Sequence, residues 1–503
     1  MATLTQQSLA PERHRADSFQ QVVLVDFLQM TLCFGGAVFA VYYAPSVVNY
    51  LYFLGLTALF WRSKHDYFWF AFYFIIVNTP AFLFFETSGA ATRRLPIYSL
   101  TGGISFSVLD IFVLASLAKI VMRGVVKQFV VTKSLRFILI YFALVSIPMT
   151  FVLGLEGTSF FNTFRPYFYY TILVSFYFLI DDPKDILKFG YLMVPYVLFT
   201  LFDQLFLLTQ NRLLISIINP ETIRAIVNNT VTNDARAYFS GFLLIFYAFI
   251  FALQLRSNPR YELFSGLAYA IIGVSLATFV LSATRVYLMI PLAVFGMYVL
   301  LDRRGGSDAV RLSIFVALFA IVFFSLNIIS FDFFLKSIWP RFEAFFMVIF
   351  GGGNLAEFDT VQSRLDEDLP SLIEGVMHSP LVGTGFSGVF SRYENNDLGF
   401  INTILIFGLV GFTLVINFLV MLLRQLNQWV GRAGANPNAR AILNTTRMAM
   451  VGVLLGYATT FDFFTVRQVD RIYFMAILLA STEIAVHHIN QQKRDSLTNP
   501  KNP

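Results

Sequence analysis

Apolar runs long enough to cross a bilayer recur from one end of this chain to the other. A spanning helix needs about 20 mostly apolar residues, with a working range of about 17–25. Fourteen candidate runs stand out: Gln21–Tyr43, Pro45–Phe60, Tyr67–Phe85, Ile104–Met122, Leu135–Leu155, Tyr167–Ile180, Phe189–Leu208, Tyr238–Leu255, Leu263–Leu281, Val286–Leu301, Leu312–Ser330, Leu398–Leu423, Met448–Phe461 and Ile472–Val486. The second, sixth, thirteenth and last are short, and two of these are candidates for re-entrant or interfacial segments, so the expected count is twelve to fourteen. Composition agrees. Hydrophobic residues make up 57% of the 503 and charged residues 13%, with 59 Phe. Soluble chains average about 45–50% and about 25%. A soluble enzyme, a disordered chain and a disulfide scaffold are all excluded. Cys33 is the one cysteine, so no intrachain disulfide can form. The first run is too long for a signal-peptide core and lacks a convincing cleavage site, and reads as an uncleaved anchor.

Charge gives the expected orientation. Loops on the cytoplasmic side hold more Lys and Arg than exported ones. With the N-terminus inside, fourteen passes put 23 of the 36 basic residues inside and return the C-terminus to the same side. The expected organisation is a cytoplasmic tail over 1–20, eleven membrane helices over 21–330, a long outer loop over 331–397, three further helices over 398–486 and a cytoplasmic tail over 487–503. The pI of about 9.2 then follows from topology and points to no nucleic-acid partner. Eight of the nine Lys fall inside, whereas the outer basic residues are Arg with the exception of Lys336. Arg grips phosphate oxygens bidentately, and it also tolerates interfacial burial better than Lys, so the bias fits either cause.

Two outer connections are long: Thr209–Ala237 and Phe331–Asp397. Long ordered loops usually carry function. Within the second, Asp368 is placed to cap a helix whose Leu369, Leu372, Ile373, Val376 and Met377 form one apolar stripe, lying on the membrane or on the bundle. The glycine-rich stretch Ser379–Gly388 follows. It is either a site of close backbone approach or a plain connection. No repeat relates the two halves of the chain, which weighs against many transporter folds.

Several motifs occur in a telling order. They are Asp234-Ala235-Arg236-Ala237-Tyr238-Phe239-Ser240-Gly241, Leu281-Ser282-Ala283-Thr284-Arg285, Ser363-Arg364, Pro380-Leu381-Val382-Gly383-Thr384-Gly385, Asn396-Asp397-Leu398-Gly399-Phe400 and Phe407-Gly408-Leu409-Val410-Gly411. Their order, and the long loop before the third-last helix, resemble the O-antigen ligase and polymerase family over about residues 234–411. The resemblance implies an all-helical membrane glycosyltransferase of the GT-C type in the bacterial inner membrane. Such an enzyme transfers a glycan on the periplasmic face from a polyprenyl pyrophosphate to an acceptor hydroxyl, with no metal and no cofactor. In polymerases the acceptor is another lipid-linked repeat; in ligases it is a lipid core or a protein. The expected partners are the polyprenyl-pyrophosphate-linked oligosaccharide, the lipid bilayer and a chain-length regulator protein.

That chemistry needs fixed cations for the departing pyrophosphate. Arg165, Arg236, Arg285 and Arg364 are the candidates, all on the expected outer side; each also has a plainer reading as an anchor, a cap or one half of a salt bridge. A base must take the acceptor proton. Family ligases carry His-Asn before the next helix, whereas this chain has Glu394-Asn395-Asn396-Asp397. Asp397 is the first candidate, with the cap of the following helix as its alternative role. Glu394 and His378, the one outer histidine of five, stand behind it. The carboxylate favours polymerase over ligase. Asp26, Asp110 and Asp203 lie within apolar runs, and Asp110 and Asp203 are placed to pair with the arginines; proton-coupled transport is the rival explanation. The rival classes overall are a lipid-linked oligosaccharide flippase and a non-catalytic subunit of an export complex.

Overall fold

The computed structural model describes residues 10–78, 95–99, 105–154, 164–210, 241–259, 265–282, 285–325, 368–394, 398–434, 436–459 and 469–498, with isolated positions 261, 335, 339, 343 and 366. Among these the chain is helical, with one two-stranded hairpin. The helices are α1 (Ala10–Tyr42), α2 (Ser46–Arg62) and α3 (Asp66–Asn78). The hairpin follows, β1 (Ile97–Ser99) and β2 (Ser105–Ser107). Then come α4 (Val108–Arg123), α5 (Leu135–Tyr141) and α6 (Ile147–Val152), the last two joined through a π-turn over Phe142–Ser146. Next are α7 (Thr171–Leu179), α8 (Pro183–Tyr191), α9 (Val194–Gln210), α10 (Phe242–Ser257), α11 (Ser265–Leu281), α12 (Arg285–Leu301) and α13 (Gly305–Ser325). The last group is α14 (Leu369–Met377), α15 (Gly388–Tyr393), α16 (Gly399–Arg432), α17 (Pro437–Thr459) and α18 (Val469–Thr498).

Six helical stretches are long and apolar enough to cross a membrane: Leu24–Tyr42, Leu135–Val152, Pro183–Phe206, Gly399–Arg432, Pro437–Ala458 and Val469–Asp495. The chain is therefore a multi-pass membrane protein. Shorter apolar helices pack among them, including α3 and α10. α10 is apolar on every side, and residues Phe242–Arg256 are all buried, as a core helix of a bundle must be. α18 packs against α3, α7, α8, α10 and α17. At the periphery the pattern inverts. Leu24, Leu28, Leu32 and Phe39 on α1, Phe137 on α5, Leu144 in the π-turn and Phe151 on α6 face outward. Lipid solvates such faces, so no further protein layer is required.

Several helices run past the apolar segments that mark them. α1 begins at Ala10, inside the segment expected to be a tail, with Pro11 in its first turn. α16 continues from the apolar run through Arg424 to Arg432, and α18 extends from Val469 to Thr498, well into the expected C-terminal tail. Hydropathy marks the lipid-matched part of a helix, whereas Arg, Gln, Lys and Glu prolong it readily in water. The run at Met448–Phe461 belongs to a longer helix because Asn444, Thr445 and Thr446 pack inside α17. In α14 the helix forms where the stripe predicted it, but Asp368 has helical backbone angles and its side chain makes no cap hydrogen bond. Leu372 is buried while Ile373 and Met377 are exposed. α14 thus rests one flank on α16 and turns the other outward.

Candidate functional site

The hairpin delivers the first charged group. Tyr50 donates to the Ile97 carbonyl at 3.0 Å and Tyr98 donates to the Tyr50 carbonyl at 2.9 Å, mooring β1 to α2. β2 ends at Ser107, the N-cap of α4. The Ser107 hydroxyl accepts from the Asp110 amide, and Asp110 Oδ2 accepts from the Ser107 amide at 2.5 Å. This reciprocal capping box fixes the Asp110 carboxylate at the head of α4. Ser107-Val108-Leu109-Asp110 was the sequence signal for it. The capping pattern escapes notice because it lies inside an apolar run.

Arg165, in the helical turn 164–168 before α7, pairs with that carboxylate. Its Nη2 meets Asp110 Oδ2 and its Nε donates to Oδ1 at 3.2 Å. Tyr169 donates its hydroxyl to Oδ1 at 2.6 Å and stands 3.3 Å from the Ser107 hydroxyl. The expectation that Asp110 pairs with a candidate arginine thus holds for Arg165. Asp110 is buried, whereas 29% of the Arg165 side chain remains exposed. A guanidinium has five N–H donors. Asp110 engages two of them.

Next to this pair, the two glycine motifs fold onto one another. α16 is broken at Gly408, whose φ of 66° and ψ of −179° are non-helical. The break frees backbone groups that must find partners at membrane depth, and the segment 380–385 supplies them. The Thr384 and Gly385 amides donate to the carbonyls of Leu405 and Ile406 at 2.8 and 3.0 Å. The Leu409 and Val410 amides donate to the carbonyls of Pro380 and Leu381 at 2.9 and 3.1 Å. A Cβ on Gly383 would fall on the Ile406 carbonyl, and one on Gly408 on the Leu381 carbonyl. Both positions also have φ in the left-handed region, so two separate constraints require glycine there.

α5 and α6 close the third side. The Tyr141 hydroxyl lies 2.7 Å from the Phe407 carbonyl and 3.1 Å from that of Val382, and Thr150 Oγ1 accepts from the Phe386 amide at 2.8 Å. Phe386, fully buried, sits among Phe142, Phe164 and Tyr167 with ring centroids 5.1–5.9 Å away. Phe164 and Tyr167 flank Arg165 in sequence. One short helical turn therefore joins the ion pair to the glycine interlock.

Of the other candidates, Arg285 opens α12. Arg236, Arg364 and Asp397 lie outside the described residues. Glu394 follows α15, half-buried, with its amide donating to the Phe390 carbonyl at 2.9 Å. His378 ends α14 on the surface. Asp203 is half-buried on α9, and Asp26 is buried and accepts from the Tyr67 hydroxyl. Among the described residues no cluster of three or more His, Cys, Asp or Glu has metal-binding geometry. Neither a family model nor a curated protein matches the chain.

Proposed function

We propose that this protein is a bacterial inner-membrane polysaccharide polymerase of the GT-C type. It transfers a glycan from polyprenyl pyrophosphate to a hydroxyl of another lipid-linked repeat on the outer face. One observation carries the reading: the segments Pro380–Gly385 and Phe407–Gly411, two of those by which the sequence resembles the O-antigen ligase and polymerase family, hydrogen-bond to each other, and Phe386 just after the first packs on Phe164 and Tyr167 on either side of Arg165 in sequence. Residues far apart in the chain thereby serve one structural purpose.

The fourteen-pass topology with both termini inside belongs to the same reading. Lys119 bonds the Ser63 carbonyl and Asp66, Lys127 bonds Asp181, Arg256 bonds Asp308 and Asn436 bonds Gln492. Each contact joins segments that the charge alternation assigns to the cytoplasmic side. Arg165 with Asp110, and Tyr50 with Tyr98, join segments assigned to the outer side.

In the proposed chemistry, Arg165 holds its fork against Asp110 and turns its exposed edge to the leaving diphosphate. Asp110 offsets the cost of a cation at membrane depth. Arg236, Arg285 and Arg364 complete the anion site, and Asp397, with Glu394 behind it, accepts the acceptor's proton. Purified protein in liposomes with a lipid-linked repeat tests this. Polymer should appear without an energy source or added metal. Arg285→Ala should abolish it, and Arg285→Lys should restore little because the bidentate grip is lost. Full activity of a correctly inserted Arg285→Ala protein would remove that residue from the site. Movement of the lipid-linked repeat across the bilayer without polymer would favour a flippase.

A further inference from the structure

A second polar cluster stands on the outward flank of α14, and the chemistry above does not use it. Glu374 and His378 lie one turn apart there, both exposed. Tyr393, the last residue of α15, crosses α14 at Gly375, where a Cβ would overlap the tyrosine's own Cβ. The Tyr393 hydroxyl donates to Glu374 Oε1 at 2.9 Å. His378 Nδ1 donates to the Glu374 carbonyl at 3.0 Å, so the neutral ring presents Nε2 as an acceptor. The Arg392 guanidinium lies 5.3 Å from the centre of the Tyr393 ring, and the His378 ring centroid lies 5.8 Å from it. Beneath them Leu372 and Phe390 are buried and fix both helices.

Ordering four such side chains costs rotamer entropy, and burial returns little here because three of the four are exposed. The arrangement offers flat groups, one carboxylate, one imidazole acceptor and one guanidinium donor. That combination suits a ligand with an apolar ring face and a rim of hydroxyls. Resting on the polymerase reading, we propose that Glu374, His378, Arg392 and Tyr393 form a subsite for the sugar units of the glycan, separate from the Arg165–Asp110 pair. A sugar's C–H face would lie on the flat groups, and its hydroxyls would donate to Glu374 in charge-assisted hydrogen bonds. The bilayer surface is the rival occupant, because Ile373, Met377 and Leu381 are exposed nearby. The charge balance decides against it: Glu374 offsets Arg392, so anionic headgroups gain little there, whereas hydroxyls find both an acceptor and a donor.

The test uses the full chain in lipid nanodiscs. The probe is the oligosaccharide mixture released by mild acid from the producing cells' own envelope polysaccharide. Saturation-transfer NMR should show magnetisation passing to sugar protons. It should fall at least fivefold in Tyr393→Ala and in Glu374→Gln, and stay unchanged in Ile321→Ala on the exposed side of α13. Equal transfer in the wild type and both subsite variants overturns the proposal, as does absence of transfer to the wild type. Quenching of a label at Tyr393→Cys by a lipid-borne rather than a water-soluble quencher also overturns it, in favour of the bilayer. Polymer synthesis, measured alongside, keeps the two readings apart. Transfer through Tyr393 without polymer leaves the subsite standing and removes the polymerase; polymer with transfer indifferent to Tyr393 does the reverse.

Discussion

At the head of α4, Arg165 and Asp110 form an ion pair whose arginine side chain is 29% exposed; between α10 and α13, Arg256 and Asp308 form one whose side chains are 5% and 3% exposed. The second pair is enclosed. Asp308 accepts from Arg256 Nε at 3.0 Å and Nη2 at 2.6 Å, and from the hydroxyls of Tyr269 and Tyr298 at 2.6 and 2.5 Å. Lys119 is similar: its ammonium donates to the carbonyls of Phe60 and Ser63 and to Asp66, at 2.6–2.8 Å. Both groups are closed off by neighbouring helices. Arg165 engages Asp110 through the same two nitrogens, Nε and Nη2, but from a side chain that stays partly exposed. The contrast separates charge that fastens helices together from charge still open to a ligand, although both look alike as ionisable residues in an apolar sequence.

The comparison can be broken by mutation, beginning with the fastened pair. Arg256→Ala leaves Asp308 buried beside two hydroxyls and no cation, and should destabilise the protein by about 3–5 kcal/mol; thermal unfolding in detergent measures it. Gly408→Val forces a β-branched residue into the left-handed region, at about 1–3 kcal/mol for conformation alone, with overlap on the Leu381 carbonyl in addition. Reduced accumulation of folded protein and a lower Tm are the readouts. Glu483→Gln should cost about 1–2 kcal/mol, because the buried carboxylate accepts the Val130, Val131 and Thr132 amides and the Thr132 hydroxyl at 2.6–2.9 Å. Arg165→Lys should change stability least, by under about 1 kcal/mol, yet lower polymer formation at least tenfold as the fork is lost. If Arg165→Lys unfolds the protein as readily as Arg256→Ala does, the distinction between the two ends fails.

Much of this fold is legible in the apolar runs, because a helix that satisfies its own backbone is the simplest way to cross lipid. The runs at Leu135–Leu155 and Leu398–Leu423 both contain spanning helices. What the runs hide is interruption. Nothing in hydropathy marks the π-turn at Phe142–Ser146 or the break at Gly408, since both sit among apolar side chains. The glycine motifs are visible one at a time, but their pairing across more than twenty residues is a tertiary fact. The same holds for the site. Asp110 and Arg165 are individually conspicuous as charges near apolar sequence, whereas Ser107 and Tyr169, which orient the carboxylate, are ordinary residues until folding brings them within 3.3 Å of one another. α1, α16 and α18 outrun their apolar segments for a related reason: periodic apolarity ends at the lipid boundary, and helical hydrogen bonding does not.

The rod formed by α5, the π-turn and α6 has an unusual mechanical situation. Only 11% of Leu135–Val152 is buried, against 83% of the most apolar stretch of α18. Yet the chain just before it is clasped by Glu483, and the rod itself is pinned through Tyr141 at the end of α5 and Thr150 in α6. A beam clamped near both ends and wetted by acyl chains along its shaft takes its load from the thickness and tension of the surrounding bilayer. The π-turn, through Phe142, adjoins the aromatic cluster around Phe386. Strain from the lipid would therefore reach the aromatic cluster that includes Phe164, the neighbour of Arg165 in sequence, and not be dispersed through the tightly packed centre of the molecule.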